Sequence, residues 1–351
     1  MRLRRLICIC GVVASYGATT AHGADAIVVT LGGRIKEYFV VADQKSAAPT
    51  EDLNTAGMFN DVRVSLEGKT VLDNGISVRV YTRFNAVGRK ARDVDEAYVD
   101  INSTLGRLRI GEKSGTNTSI IGDPVPEAFL TVDEEIIGDA LKPRTGIALR
   151  DGFTFKRFTG NALGFSLQSP EVLGFRLGAA YHPTLSSAIG LLDKNRNPHN
   201  AFDLSAGYDG DFGGGNFRLA GGYFHVASRI GGNDGVSAWN LAAGLAYGGW
   251  EASAAYIKSS PANGQQERAW TVGGLYGIGP FKLSAGYRSA KRRLITGGAF
   301  LEHVDRTTLQ AAYKLGPGIS VGLAGFYADQ KDALGLTWDS GGALTGVKID
   351  F

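Results

Sequence analysis

The chain has 351 residues and a formal net charge of +3, with 37 Lys and Arg against 34 Asp and Glu, and only two cysteines. A balance so near neutral gives no support to a nucleic-acid partner, which calls for a basic surplus gathered on one face. Fifty glycines, ten prolines, 17 Phe, 13 Tyr and four Trp describe a turn-rich β protein and weigh against a helical one.

At the amino terminus, Arg2, Arg4 and Arg5 precede an apolar run from Leu6 to Val13, and small residues then lead to Ala21-His22-Gly23. This arrangement predicts a secretory signal over residues 1–23, cut after Gly23. The apolar stretch from Leu6 to Ala18 is well short of the ~20 residues a membrane-spanning helix needs. Both cysteines, Cys8 and Cys10, lie in the signal, so the remaining 24–351, expected to be a single domain, carries no thiol. Loss of the three arginines brings the formal charge to zero, with 34 residues of each sign. No later window approaches ~18 consecutive apolar residues, so no helix is expected to cross a bilayer, although a closed barrel still could.

Taken in chain order, apolar and polar residues alternate over Ala26 to Val41, Val62 to Glu67, Ile76 to Tyr81, Glu96 to Asn102, Arg107 to Glu112, Leu163 to Gln168, Phe175 to Tyr181 and Phe202 to Tyr208. The pattern continues over Phe217 to Phe224, Trp239 to Tyr247, Trp250 to Ile257, Ala269 to Tyr276, Phe281 to Arg288, Arg306 to Tyr313, Ile319 to Tyr327 and Ala343 to Phe351. Period-two alternation is extended chain with one apolar face. About sixteen such runs is an even number within the range of outer-membrane barrels. The connections between the runs also alternate in length. Asp73-Asn74-Gly75, Ser103-Thr104-Leu105, Gly248-Gly249, Gly277 to Pro280 and Gly316-Pro317-Gly318 are tight turns. Gln44 to Met58, Lys113 to about Phe158, Pro183 to His199, Ala227 to Gly235, Ser289 to Val304 and Ala328 to Asp339 are longer and polar. Short turns at one end and long loops at the other predict an all-β, antiparallel, up-and-down transmembrane barrel.

The apolar phase carries aromatic pairs six residues apart: Phe202 and Tyr208, Phe217 and Tyr223, Trp250 and Tyr256, Trp270 and Tyr276, Phe281 and Tyr287. Six steps of ~3.3 Å are about 20 Å of strand, which suits one ring near each interface of a bilayer. The opposite phase of the first five runs is basic, with Arg34, Lys36, Arg63, Arg79, Arg83, Arg107 and Arg109. An arginine at mid-bilayer costs a barrel ~2–4 kcal/mol, so these side chains are expected to line water. The longest connection, 113–158, holds Asp123, Glu127, Asp133, Glu134, Glu135 and Asp139. Thr131 and Glu134 stand at capping-box spacing before Ile136, Ile137, Ala140 and Leu141, which predicts a short amphipathic helix there. Folding this loop inward would bury its apolar residues and bring carboxylates across the lumen from the arginines.

The segments VTLGGRIKEYFVVADQ, DEAYVDINSTLGRLRIGEKSG and LQSPEVLGFRLGAAYHP, together with the terminal Phe351, give the chain a resemblance to the trimeric sixteen-stranded general diffusion porins of Gram-negative bacteria, alphaproteobacterial ones above all. The resemblance implies an outer-membrane homotrimer that passes small hydrophilic solutes and contacts outer-membrane lipid and lipopolysaccharide. It implies a third loop folded into the barrel, with carboxylates among Asp123, Glu127, Asp133, Glu134 and Glu135 facing wall arginines among Arg63, Arg79 and Arg83. It also implies that Phe351 closes the barrel and is read by the barrel assembly machinery. A channel selective for an anion or a sugar on the same barrel is the alternative. No enzyme is expected, since the four histidines beyond the signal, His182, His199, His225 and His303, have no thiol or zinc-type spacing to work with. No cofactor is expected either, although a Ca²⁺ ion among the loop carboxylates would suit a hard cation.

Overall fold

The computed structural model describes residues 25–45, 53–87, 94–122, 125–130, 136–145, 147, 160–185, 198–227, 235–260, 265–294 and 300–351. The expected signal at 1–23, the carboxylates Asp123, Asp133, Glu134 and Glu135, and the side chain of Asp139 lie outside the described residues.

Every alternating run in the sequence is a strand. In order they are β1 (Val28–Gln44), β2 (Ala56–Val71), β3 (Ser77–Val87), β4 (Val94–Ser103), β5 (Gly106–Glu112), β6 (Leu163–Gln168), β7 (Phe175–Thr184) and β8 (His199–Phe212). The second half comprises β9 (Gly215–Ala227), β10 (Val236–Tyr247), β11 (Trp250–Ser260), β12 (Gln265–Ile278), β13 (Phe281–Leu294), β14 (Phe300–Gly316), β15 (Ile319–Lys331) and β16 (Thr337–Asp350). Each pairs antiparallel with its chain neighbours, and β1 pairs with β16, so the sixteen strands close into a barrel. Between β5 and β6 lie two short helices, α1 (Thr116–Ile121) and α2 (Ile136–Ala140). The second sits where the apolar pattern of the loop predicted it; the first was not anticipated.

Several strands outrun their sequence pattern. β13 continues to Leu294 and β14 starts at Phe300, so the connection read as Ser289 to Val304 shrinks to 295–299; that read as Ala328 to Asp339 shrinks to 332–336. The ladder continues past the apolar belt, where both phases are polar and alternation no longer marks it. Tight turns remain confined to the other end. At one of them Gly248 and Gly249 both take positive φ, 56° and 87°, as a two-residue hairpin whose twist matches its strands requires.

Outward aromatic rings form two belts. Toward the turns, Phe175 meets Tyr208 with ring centroids 4.5 Å apart, Tyr208 meets Phe217 at 5.6 Å, Trp250 meets Tyr276 at 4.4 Å and Phe281 meets Tyr313 at 4.7 Å. Toward the loops, Phe202 meets Tyr223 at 6.1 Å, Trp239 meets Tyr256 at 5.3 Å and Trp270 meets Tyr287 at 5.0 Å. Each pair six residues apart thus gives one ring to each belt. Among the described residues, the outward face of β1–β5 carries no such contact. Instead, Glu37 stands there between Ile35 and Phe39, opposite Asn60 of β2 and Val347 of β16.

The last residue completes the closure. Gly33 of β1 donates its N–H to the Phe351 carbonyl at 2.8 Å and accepts the Phe351 N–H at 3.0 Å. A Cβ at Gly33 would run into the Phe351 ring and the Arg63 carbonyl, so the ring lies against bare backbone. Gly33→Leu and Phe351→Asp should therefore both lower the yield of folded barrel, read as the fraction with heat-modifiable gel mobility. Phe351→Tyr, which keeps the ring, should fold like the parent; normal yield from Phe351→Asp would contradict this account.

Candidate functional site

Strand register puts Arg34, Lys36, Arg63, Arg79, Arg83, Arg107 and Arg109 on the inward phase of β1, β2, β3 and β5. Their partners, which the sequence reading overlooked, are carboxylates on the same wall. Asp61 accepts from Arg34 at 2.6 Å and from Arg63 at 2.7 Å. Asp95, at a bulge in β4, takes Arg63 at 3.2 Å and Arg83 at 2.5 Å, and Arg83 also reaches Glu96 at 2.7 Å. Arg79 bridges Glu67 at 2.7 Å and Asp100 at 3.5 Å, while Asp100 holds Arg109 through two bonds of 2.5 and 2.7 Å. Lys113, just beyond β5, meets Glu96 at 2.6 Å; burial pushes its ammonium pKa down, against the pull of that carboxylate. Arg107 differs from the others, because the group it donates to is the neutral side-chain oxygen of Gln168.

The inward phase of β1–β5 holds eight cations, the seven named and Lys69, against five carboxylates, Asp61, Glu67, Asp95, Glu96 and Asp100. Three positive charges are left over. Besides Tyr38 of β1, two tyrosines share the inward phase of this wall. Tyr81 and Tyr98 lie 5.1 Å apart, with Arg79 over the Tyr81 ring at 5.0 Å and Arg109 over the Tyr98 ring at 4.1 Å.

The segment between β5 and β6 is tied to inward-phase side chains far around the barrel. At the start of α1 no side chain of the helix's own caps it. Asp203 of β8 does so from across the wall, accepting from the backbone N–H of Thr116 at 2.9 Å and of Asn117 at 3.2 Å, and from the Thr116 hydroxyl at 2.5 Å. Asn240 of β10 donates to Asn117 at 3.0 Å. Further on, Ser284 of β13 accepts from the N–H of Ala128 at 2.8 Å, and Gln310 of β14 accepts from Phe129 at 3.0 Å and Leu130 at 2.7 Å. Gln330 of β15 and Gln44 of β1 hold the residues after α2: Gln330 accepts from Arg144 at 2.9 Å and Gln44 from Lys142 at 2.6 Å. Irregular backbone that is buried must find such partners. The apolar residues of the segment are buried too: Phe129, Leu130, Ile136, Ile137 and Leu141 pack with Tyr38, Val40, Phe326 and Leu344 of the wall.

Glu127 is the one member of the predicted acidic set whose side chain is described. It does not meet Arg63, Arg79 or Arg83. It pairs with Arg288 of β13 at 2.5 Å, both side chains being about 5% exposed or less, with Arg306 beside it in register on β14. The bonds from residues 128–130 to Ser284 and Gln310 fix the backbone beside β13 and β14, which carries Glu127 to that wall. Arg288, Arg306 and Lys348, which donates to the Phe129 carbonyl, were not singled out from the sequence, because each looks like an ordinary inward residue until the segment is seen against it. Among the described residues no group of three or more His, Cys, Asp or Glu could hold a metal ion. The run Gly318-Ile319-Ser320-Val321-Gly322 has the spacing of a hydrolase nucleophile elbow, but it enters β15 and continues as strand, without the helix that such a turn requires.

A sixteen-stranded barrel with an apolar, aromatic-belted outside and a charged inside is the architecture of a transmembrane channel. The profile of the Gram-negative porins matches residues 11–333, and the chain belongs to that family. As a porin it forms a water-filled channel for the passive diffusion of small hydrophilic solutes and ions. No curated protein sequence matches the chain. Similar solved structures include OmpT, an outer-membrane protein of Vibrio cholerae in its trimer form (14% identity, 93% of this chain and 100% of that one, TM-score 0.65). An anion-selective porin from Comamonas acidovorans is similar as well (14% identity, 93% and 100% coverage, TM-score 0.63), as is OmpF of Salmonella typhi in complex with daunomycin (14%, 92% and 97%, 0.66). At these identities the likeness speaks for the fold alone.

Two anchors of the segment can be tested separately. Asp203→Ala leaves two buried N–H groups and a hydroxyl without an acceptor, at ~1–3 kcal/mol each. The expected result is faster proteolytic cleavage between β5 and β6 in an otherwise intact barrel. Glu127→Ala removes the carboxylate from a buried ion pair that sits beside a second guanidinium, a loss of ~3–5 kcal/mol by comparison with other broken buried pairs. Its midpoint of heat modification should fall clearly below that of Glu127→Gln.

Proposed function

We propose that this porin sits in the outer membrane as a homotrimer, and that the segment between β5 and β6 folds into the lumen and forms its narrowest point. The reading of the segment is carried by its hydrogen bonds to Asp203, Asn240, Ser284, Gln310 and Gln330, all on the inward phase. Solutes then pass between this segment and the wall of β1–β5, whose surplus of three cations attracts anions within a Debye length, ~8–10 Å at physiological salt. The acidic residues Asp133, Glu134 and Glu135 are assigned to the opposite side of the passage by their place in the same segment. The trimer reading is supported by the outer face of β1–β5, which among the described residues has no contact between aromatic rings and turns Glu37 outward where a lone barrel would meet hydrocarbon. A carboxylate is costly there and tolerable against a neighbouring protein. One observation favours the selective-channel alternative: the stack of Tyr81 and Tyr98 with Arg79 and Arg109 would suit a planar anionic solute. Saturable block of the current by benzoate would support that alternative, and a strictly proportional flux would exclude it.

Single-channel conductance and reversal potential in asymmetric salt test the proposal. Arg79→Ser with Arg83→Ser should shift selectivity toward cations and raise conductance, and Glu134→Gln with Glu135→Gln should shift it toward anions. Arg107→Ser alone should move selectivity more per charge than Arg83→Ser, because Arg107 has a neutral partner whereas Arg83 is held between Asp95 and Glu96. Equal shifts of the same sign from the arginine and glutamate pairs would remove the facing-charge arrangement.

A further inference from the structure

A cavity of about 300 Å³ lies between the inner wall of β9–β11 and the segment that joins β5 to β6. Its place follows from side-chain size. The inward phase of β9 and β10 carries Ala220, Ala242, Gly244 and Ala246 at adjoining register positions, so the wall there stays close to bare backbone. The segment stands over this hollow: Ile121, at the end of α1, packs with Ala220 and Ala242, and Val125 and Pro126 continue the roof. The cavity shares no lining residue with the basic wall of β1–β5.

Two charged residues stand on the inward phase of these three strands, Arg218 of β9 and Glu251 of β11, and both border the cavity. Arg218 is committed: it donates to the Ile120 carbonyl and lies 3.6 Å from Asp209. Glu251 is not. It is exposed to the lumen, and among the described residues its carboxylate has no hydrogen bond and no ion pair. Two residues further along the same face, the Ser253 hydroxyl is buried without a hydrogen-bond partner. A hydroxyl left in this way calls for a partner that the fold itself does not supply. Glu127 also borders the cavity, but Arg288 takes its carboxylate. Lys282, the inward cation at the turn end of β13, lies two strands away from β11 and does not border the cavity.

We propose that this cavity binds a small organic cation, with a primary ammonium group on Glu251 and Ser253 and an apolar body against Ala220, Ala242 and Ile121. An ammonium group offers three donors and no acceptor. The carboxylate gives it a charged acceptor and the hydroxyl oxygen a neutral one, on the same face of one strand. An anion would meet the wrong sign at Glu251, and a neutral solute would leave that charge unanswered. The volume stands at the lower end for small-molecule sites, which suits a single ring or a short chain. The lumen would then treat the two signs in different places, with anions drawn to the wall of β1–β5 and an ammonium held in a recess of β9–β11. The proposal takes from the channel reading only that the inward phase meets water, and it does not depend on which ions the pore selects.

The test uses the whole folded protein in a non-ionic detergent, with benzylammonium as the probe and a saturation-transfer NMR titration as the readout, so that binding is measured without reference to conduction. Benzyl alcohol and benzoate, of similar size but neutral and of opposite charge, are the comparisons. Benzylammonium should bind, and neither of the other two should displace it. Glu251→Gln should weaken its binding roughly tenfold, the lower range for a hydrogen bond to a charged group, and Ser253→Ala should weaken it by a smaller factor. Gly244→Leu should abolish binding by filling the cavity. A Cβ at Gly244 would meet nothing nearer than the Ser253 Cβ at 3.7 Å, so the new side chain has room to enter. Should Gly244→Leu fail to fold, Glu251→Gln decides the matter, because the Glu251 side chain is exposed and supports no contact of the fold. Equal affinity of the parent for benzylammonium and benzyl alcohol would overturn the proposal. So would unchanged binding by folded Glu251→Gln or Gly244→Leu, which would place the cation elsewhere. Absence of the selectivity shifts expected from the arginine and glutamate pairs would count against the channel reading and leave this one standing.

Discussion

Everything in this molecule depends on the requirement that a strand in hydrocarbon leave no backbone hydrogen bond unmade. Water is absent there, so a sheet that enters a bilayer must have no edge. The chain meets this by pairing β1 with β16 over eleven residue positions, from Arg34 opposite Asp350 to Gln44 opposite Ser340, and by adding the terminal exchange between Gly33 and Phe351. Once the sheet is closed, each strand has a lipid side and a lumen side, and period-two alternation becomes a division between two solvents. The aromatic belts and the charged interior follow from that division.

The interior then has its own difficulty, because charges concentrated on one wall repel one another. Register resolves it locally. Asp61 lies between Arg34 and Arg63, Asp95 between Arg63 and Arg83, and Asp100 between Arg79 and Arg109, so each of these carboxylates is shared by guanidinium groups from two different strands. Sharing of this kind ties the arginine side chains to the wall and still leaves a positive surplus. The groups that receive the segment between β5 and β6 are mostly neutral amides and hydroxyls, Asn240, Ser284, Gln310 and Gln330 on β10–β15 and Gln44 at the loop end of β1. They satisfy backbone polarity without bringing further charge into the lumen. Inward glycines complete this surface: a side chain at Gly322 would collide with the Phe129 ring, and one at Gly222 with Asn117.

How much of this was legible in the sequence follows from which interactions are local. Strand count and order, the turn end and the two aromatic belts were readable because each rests on spacing within one strand or one hairpin. The apolar residues around α2 announced their burial by composition. Helix α1 gave no such sign: its sequence, TNTSII, is rich in β-branched residues, and its N-terminus is held by Asp203, 87 positions away from Thr116. The carboxylate partners of the wall arginines escaped notice for a related reason. By composition the acidic loop is the obvious partner across the lumen, while the nearer acids sit on the same wall, at register positions that only pairing reveals. Glu127 met Arg288 and not the β2–β3 arginines because residues 128–130 are bound to β13 and β14, a constraint with no trace in local sequence.

Charge on the outward phase shows what each part of the outer wall faces. Glu37 sits within β1, flanked by Ile35 and Phe39, on the one side of the barrel without aromatic belts. Arg268, Arg293 and Lys258 sit beyond the loop-side belt, on the side where both belts are complete. An acid at the depth of the apolar band needs protein against it. Cations at the level just past the aromatic rings need only phosphate and water. The same strand alternation that builds the pore therefore divides the exterior as well, into a face suited to a neighbouring subunit and a face suited to lipid, and among the described residues the aromatic belts belong to the second.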